Sequence, residues 1–247
     1  MNENSNSSMG GLSASEQLVA TEGVRLTRDS MQALGLFAGL AQATINFDTP
    51  GNIDVIDGCP EIAYVRSGSD FVAAIDFKTG CASDLTNDVT ISGVIELILN
   101  ISTHLGEFEL MNIVIGGVNY AGTAEMMITG GQFNPVDFVG SIDITNANGF
   151  GISGNIDFEV TTTSSKTVTV HSATLALENN DLSVTVTVSN LVASVINSDS
   201  FVPQAGSITF DTMGSTFVIE FDADSPSTNT VQVMVDADAA VSFTAGL

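Results

Sequence analysis

Positive charge is the scarcest property of this chain. Its 247 residues carry 5 Lys and Arg against 29 Asp and Glu, a formal net charge of −24. The bases are Arg25, Arg28, Arg66, Lys78 and Lys166, and beyond Lys78 that single lysine faces 19 acids. Such a surface repels phosphate backbones, which argues against nucleic acid as a partner and against charge-driven binding to anionic membranes. Tryptophan is absent and tyrosine occurs only at Tyr64 and Tyr120, so the usual stacking platforms for sugars are missing. No run of 18 or more apolar residues occurs, so no transmembrane helix is written here.

The catalytic inventory is equally thin. The two histidines, His104 in a polar turn and His171 at the end of a Thr/Val segment, have no nucleophile and acid beside them. Each reads as a surface or sheet-face histidine. There is no Gly-x-Ser-x-Gly elbow, and carboxylates are too many for any one pair to mark a glycosidase. Gly149-Phe-Gly-Ile-Ser-Gly154 lies between strand patterns, so it offers no helix N-terminus to a phosphate. The chain reads as non-enzymatic.

What is present is β structure. Thr90 onward shows a period of two: Ile95, Leu97, Leu99 and Ile101 alternate with Glu96, Ile98 and Asn100. Ile156, Phe158 and Val160 alternate with Asp157 and Glu159, and Leu182, Val184, Val186 and Val188 with Ser183, Thr185 and Thr187. Each such segment predicts a half-buried strand with one apolar and one wet face. Short Gly/Asn/Asp-rich links, such as Asn146-Ala-Asn-Gly149 and Asn179-Asn-Asp181, predict hairpins and hence antiparallel neighbours. Gly93, Gly140, Gly154 and Gly206 each open a Gly-x-Ile-polar-apolar stretch and read as turn glycines from which strands begin. The methionines Met111, Met126, Met127, Met213 and Met234 read as strand residues that fill a core, the alternative being the lining of an adaptable apolar cavity.

Residues 1–12 read as a disordered leader. Ser13 followed by Glu16 fits a capping box, and Leu18, Val19, Leu26, Leu34, Phe37, Leu40 and Ala41 recur at helical spacing, predicting an N-terminal helix over 13–45. Gly23 is expected to dent it. Residues 46–247 then form a single antiparallel β domain. The fold class is mainly β: a long antiparallel meander forming a strongly curved sheet or barrel-like sandwich, with the helical segment packed on it.

Cys59 and Cys81 bracket one hairpin, with strands at 62–65 and 71–77 and a turn at 66–70. A disulfide would close its open ends; free buried thiols and half of a zinc site are the competing readings. Asp222, Asp224, Asp236 and Asp238 flank the last hairpin and are the candidate calcium ligands, hard oxygen donors in β-loops. Asp84 and Asp88 flank a turn in the same manner. The plain alternative for all of them is a solvated acidic turn, and no organic cofactor is indicated.

Gly58-Cys-Pro60, then Ile75-Asp-Phe77 leading to Thr79-Gly-Cys81, then a strand start at Ser92-Gly93, resembles uncharacterised exported β-rich proteins of Gram-negative bacteria, often of the lipoprotein type. Phe201 to Phe210 and the final hairpin fit the same pattern. The resemblance implies an exported β-protein and carries no activity. The opening, Met1 to Ser8, lacks a basic segment followed by an apolar one, so no signal peptide is written there. Of a cytosolic protein and an exported one whose signal was trimmed, the second is expected, because the cysteine pair, the acidity and the Thr/Ser/Gly-rich strands suit export. The expected place is extracellular, periplasmic or at the cell surface. The expected role is a structural or interaction protein, self-associating through edge strands or the N-terminal helix. The alternative is a carrier of an apolar, lipid-like ligand held between curved sheet and helix.

Overall fold

The computed structural model describes residues 11–41, 53–56, 58–82, 90–115, 117–129, 136–161, 167–194 and 201–246. The expected leader and the end of the expected helix, residues 1–10 and 42–45, lie outside these, as do Asp84 and Asp88. One long helix, α1 (Ala14–Ala41), comes first. It is followed by β1 (Ile53–Ile56), β2 (Glu61–Ser67), β3 (Asp70–Asp76), β4 (Cys81–Ala82), β5 (Thr90–Asn100), β6 (Leu105–Ile115), β7 (Val118–Thr129) and β8 (Val136–Asn146). Then come β9 (Gly151–Thr161), β10 (Thr167–Glu178), β11 (Ser183–Ser194), β12 (Ala205–Thr212), β13 (Ser215–Phe221), a single helical turn α2 (Ser225–Thr228), β14 (Thr230–Val235) and β15 (Val241–Thr244).

All the strands join one 15-stranded sheet in chain order, and only β4 lies off the path, pairing with β5. Every pairing is antiparallel. The period of two is the cause. In β6, Gly106, Phe108 and Leu110 are buried while Glu107 and Glu109 are exposed; β8 and β11 repeat the alternation. The inward side chains from β2 to β15 form one continuous core, which α1 joins.

The helix starts as its sequence predicts. The Ser13 backbone N–H donates to Glu16 at 2.6 Å, and the Glu16 N–H donates back to the Ser13 hydroxyl at 3.3 Å. Those bonds hold the Glu16 carboxyl below its ordinary pKa. The cap therefore contributes above the ordinary carboxylate range and fades as pH falls through the lowered value. Val19, Ala20, Glu22, Val24, Leu26, Thr27, Ser30, Met31, Ala33 and Leu34 are all buried, more than half of the helix circumference. The buried Thr27 and Ser30 hydroxyls donate to the carbonyls of Gly23 and Leu26, so neither is left unsatisfied.

Two contacts on this helix measure the curl of the sheet. At Gly23 an added Cβ would lie 2.8 Å from Ile219 of β13, and the Gln32 amide donates to the Ile115 carbonyl of β6 at 3.4 Å. Laid flat, β6 and β13 would be seven strand spacings apart, about 34 Å. Residues 23 to 32 span only about 14 Å of helix. Side-chain reach does not close that gap, so the sheet is wrapped around α1. It remains open, with β1 paired only to β2 and β15 only to β14 among the described residues. The helix runs unbroken through Gly23, where it packs tightly against Phe210 of β12 and Ile219 of β13.

Gly93, Gly140, Gly154 and Gly206 lie inside β5, β8, β9 and β12, not in turns before them. They mark bends. Gly93 has φ 103°, and a Cβ there would meet the Asn112 carbonyl oxygen of β6 at 2.4 Å. Gly206 has φ 94°, with the Asn190 carbonyl oxygen of β11 at 2.2 Å from the same imagined atom. Both contacts fall at register shifts, between Ser92 and Val94 and between Ser189 and Val192. Bulges with glycine at the crossing are how a sheet is bent sharply. The methionines divide: Met126 is buried, whereas Met127 is 46% exposed and Met213 69%. Met213 (φ 56°) and Gly214 (φ 82°) form the two-residue turn between β12 and β13. Gly206→Ala is expected to destabilise the fold by about 3 kcal/mol, from backbone strain and the clash together. Met213→Asn, which suits the left-handed turn, should stabilise it by about 0.5–1 kcal/mol. Urea unfolding of both variants measures the two opposite shifts.

Candidate functional site

The helix is tightly seated where its middle meets β10–β12. Between Thr27, Ser30, Met31 and Leu34 on one side and Val170, Leu175, Val188 and Ile208 on the other, the free volume is about 10 Å³, at most one water. A lipid-like ligand between sheet and helix was the expected alternative, and these side chains line that interface closely. Polar ties fix its outer side. Glu22 accepts from Arg25 at 3.0 Å and from Asn179, in the β10–β11 turn, at 2.9 Å. Asp29 pairs with Arg28 at 3.0 Å, yet burial pushes its pKa up despite that cation. Beneath them the Tyr120 hydroxyl is buried, and burial, reinforced by the Asp29 carboxylate, pushes its pKa up.

A broad concavity lies on the opposite, solvent face. A trough of about 640 Å³ crosses β2, β3, β5, β6, β7 and β8, about 24 Å at the usual strand spacing. Two transverse rows of directly paired residues build it. One runs Ala63, Ala74, Glu96, Glu109, Thr123, Asp143; the other runs Val65, Val72, Ile98, Glu107, Glu125, Ser141. The trough is therefore two-ended. Its β2–β5 end is apolar, with Val72 43% and Ile98 48% exposed. Its other end holds carboxylates, beginning at Glu96 of β5, with Glu96 facing Glu109 and Glu107 facing Glu125. Like charges directly opposite each other cost stability. Among the described residues, no Lys, Arg or His lines the trough. The described cations are engaged elsewhere: Arg25 and Arg28 on the helix, Lys78 on Glu61 at 2.7 Å, and Arg66 at the β2–β3 turn.

The histidines stand apart. His104 is exposed in the β5–β6 turn, and His171 is exposed in β10, five strands further along the sheet. Asp137, Glu159 and His171, from β8, β9 and β10, are the described side chains that come close enough to share an ion, with one donor atom from each within 4.8 Å of the others. The four predicted calcium ligands do not gather. Asp222 and Asp224 follow β13, whereas Asp236 and Asp238 sit in the β14–β15 turn, beside the start of β13. About five residues of strand, or roughly 17 Å, separate the two pairs. Each leading aspartate serves its own turn. Asp222 accepts from the Asp224 and Ser225 N–H groups and the Ser225 hydroxyl, and Asp236 accepts the Thr216 N–H at 2.8 Å. Hydrogen bonds from the Ser215 hydroxyl, and then from Thr216, hold the Asp236 carboxyl below its ordinary pKa.

Neither the trough nor the three-residue cluster is visible along the chain. The register creates both, and the one signal present in the sequence is that Glu96, Glu107, Glu109 and Glu125 all fall on outward positions of their strands.

Cys59 and Cys81 form a disulfide, Cα–Cα 5.4 Å, and no free cysteine remains. Cys81 also pairs with Ile91 of β5, so the bridge ties the β2–β3 hairpin to the next strand. A disulfide points to an oxidising, non-cytoplasmic setting. No helix among the described residues is long and apolar enough to cross a membrane. Comparison with protein families, with curated proteins and with solved structures finds no match to this chain. Replacing both cysteines by serine is expected to lower stability by about 3 kcal/mol on the loop-entropy model. Thiol reduction of the unaltered protein should lower its denaturation midpoint to the same degree; a loss under 1 kcal/mol would contradict a closed structural bridge.

Proposed function

We propose that this chain is an exported, non-enzymatic interaction protein of the cell surface or extracellular space, and that its trough holds a basic, partly apolar segment of a partner polypeptide. The observation that carries this is the two-ended trough. An apolar floor at β2–β5 runs into five carboxylates, Glu96, Glu107, Glu109, Glu125 and Asp143, with no base among the lining residues. An extended segment with lysine or arginine at one end and leucine-like side chains at the other matches that charge and polarity. Keeping paired glutamates opposite one another costs the free protein stability, and a cationic partner would offset that cost on binding. The disulfide supports export. A second reading, self-association by strand addition, is favoured by β1 and β15, each with one unpaired side among the described residues.

Anisotropy of a labelled peptide with lysines at one end and leucines at the other tests the first reading. It should bind more tightly than the matching Glu/Leu peptide and weaken as salt rises. The double variant Glu107→Gln, Glu125→Gln should bind at least tenfold more weakly while gaining about 0.2–1 kcal/mol in stability from the relieved repulsion. Equal affinity of the double variant, or binding of spermine alone without the peptide, would defeat a polypeptide occupant. Sedimentation velocity addresses the second reading, and a strict monomer at high concentration removes it.

A further inference from the structure

We propose that Asp137, Glu159 and His171 bind a divalent transition-metal ion of the zinc class on the solvent face of the sheet. The three side chains come from neighbouring strands, and their donor atoms already lie within 4.8 Å of one another. An ion held about 2.0–2.2 Å from each donor sets the donors about 3.4 Å apart, which small rotations of these half-exposed and exposed side chains achieve. The backbone supports the convergence in two ways. Asp137 and Glu159 are directly paired across β8 and β9, a like-charge pairing that costs stability unless a cation lies between the two. His171 is the extra residue of a bulge in β10 against β9: Val170 pairs with Phe158 and Ser172 with Asp157, so His171 has no partner on β9. Bulges re-aim side chains. Thr169 pairs with Glu159, which makes His171 the next outward residue along β10 beside that carboxylate.

The donor set selects the ion. One imidazole nitrogen with two carboxylate oxygens suits zinc and its first-row neighbours, whereas calcium and magnesium favour oxygen alone. Both cysteines are in the disulfide and do not compete. Three protein ligands leave a coordination position for water or for a group from outside the chain. The bound ion would clamp β8, β9 and β10 together on the wet face of the sheet. This site lies apart from the glutamates of the trough on β5–β7 and stands or falls independently of them.

Calorimetric titration of the full chain with zinc chloride, with calcium chloride in a parallel arm, tests the proposal. The unaltered protein should show one saturable zinc site that equimolar calcium does not displace. His171→Ala and Glu159→Gln should each weaken it at least tenfold, while His104→Ala, the other exposed histidine, leaves it unchanged. Melting without metal checks that the variants fold. The absorption spectrum of the cobalt-loaded protein should lose intensity in His171→Ala. Unsaturable uptake shared with calcium, or a His171→Ala titration equal to that of the unaltered protein, would overturn the proposal as mere adsorption to an acidic surface.

Discussion

A sheet with one apolar face must hide that face, and the burial of α1 is how this one does so. Fifteen antiparallel strands with inward Ile, Val, Leu and Phe would, if flat, expose a very large hydrophobic surface. Closing the sheet on itself would be one solution. Here the sheet curls without closing, and the helix fills the space inside. Leu26, Met31 and Leu34 are within 1% of complete burial, and each fully buried side chain of this size contributes roughly 1.5–3 kcal/mol of hydrophobic stabilisation. The buried polar residues described on the helix each have partners, Thr27 and Ser30 in backbone carbonyls and Glu22 in Arg25 and Asn179. Packing on the inside and hydrogen bonds at the rim therefore act on the same element.

Curvature links that interior to the outside. Gly93 and Gly206 let neighbouring strands approach more closely than any side chain permits, and the accompanying bulges sharpen the bend. The bulge in β10 turns His171 toward two carboxylates, while the register of β5–β8 lines up the glutamates of the trough. A chain with 5 bases cannot neutralise 29 acids. The described arginines and lysine are spent on the helix and the β2–β3 region, so among the described residues no Lys or Arg balances the carboxylates on the outer face of β5–β9.

The amino-acid sequence discloses the elements better than their neighbours. Strand faces are legible because a half-buried strand must alternate, as Phe108 and Leu110 do with Glu107 and Glu109. The helix start is legible because Ser13 and Glu16 satisfy each other's backbone groups locally. The cysteine bridge follows from a hairpin whose ends had to meet, although spacing alone left free thiols open. The in-strand glycines mislead, since a glycine that permits close approach reads the same as one that permits a turn. Gly23 misleads similarly, because only the packed fold shows Phe210 and Ile219 above it. The four C-terminal aspartates look like one cluster along the chain, yet a β-strand holds the two pairs far apart. Conversely, Asp137, Glu159 and His171 are brought together by pairing that no local pattern encodes, and the trough depends on a curl that periodicity does not report.

Amide hydrogen exchange across the whole chain tests the central claim, that the sheet is wound around α1 and depends on it. If so, the amides of residues 19–34 exchange as slowly as those at the centres of β9, β10 and β13, all opening together in the global unfolding step. Exchange of the helix amides within seconds, with the strands still protected, would mean that the sheet holds its curl without the helix, and the account would be wrong.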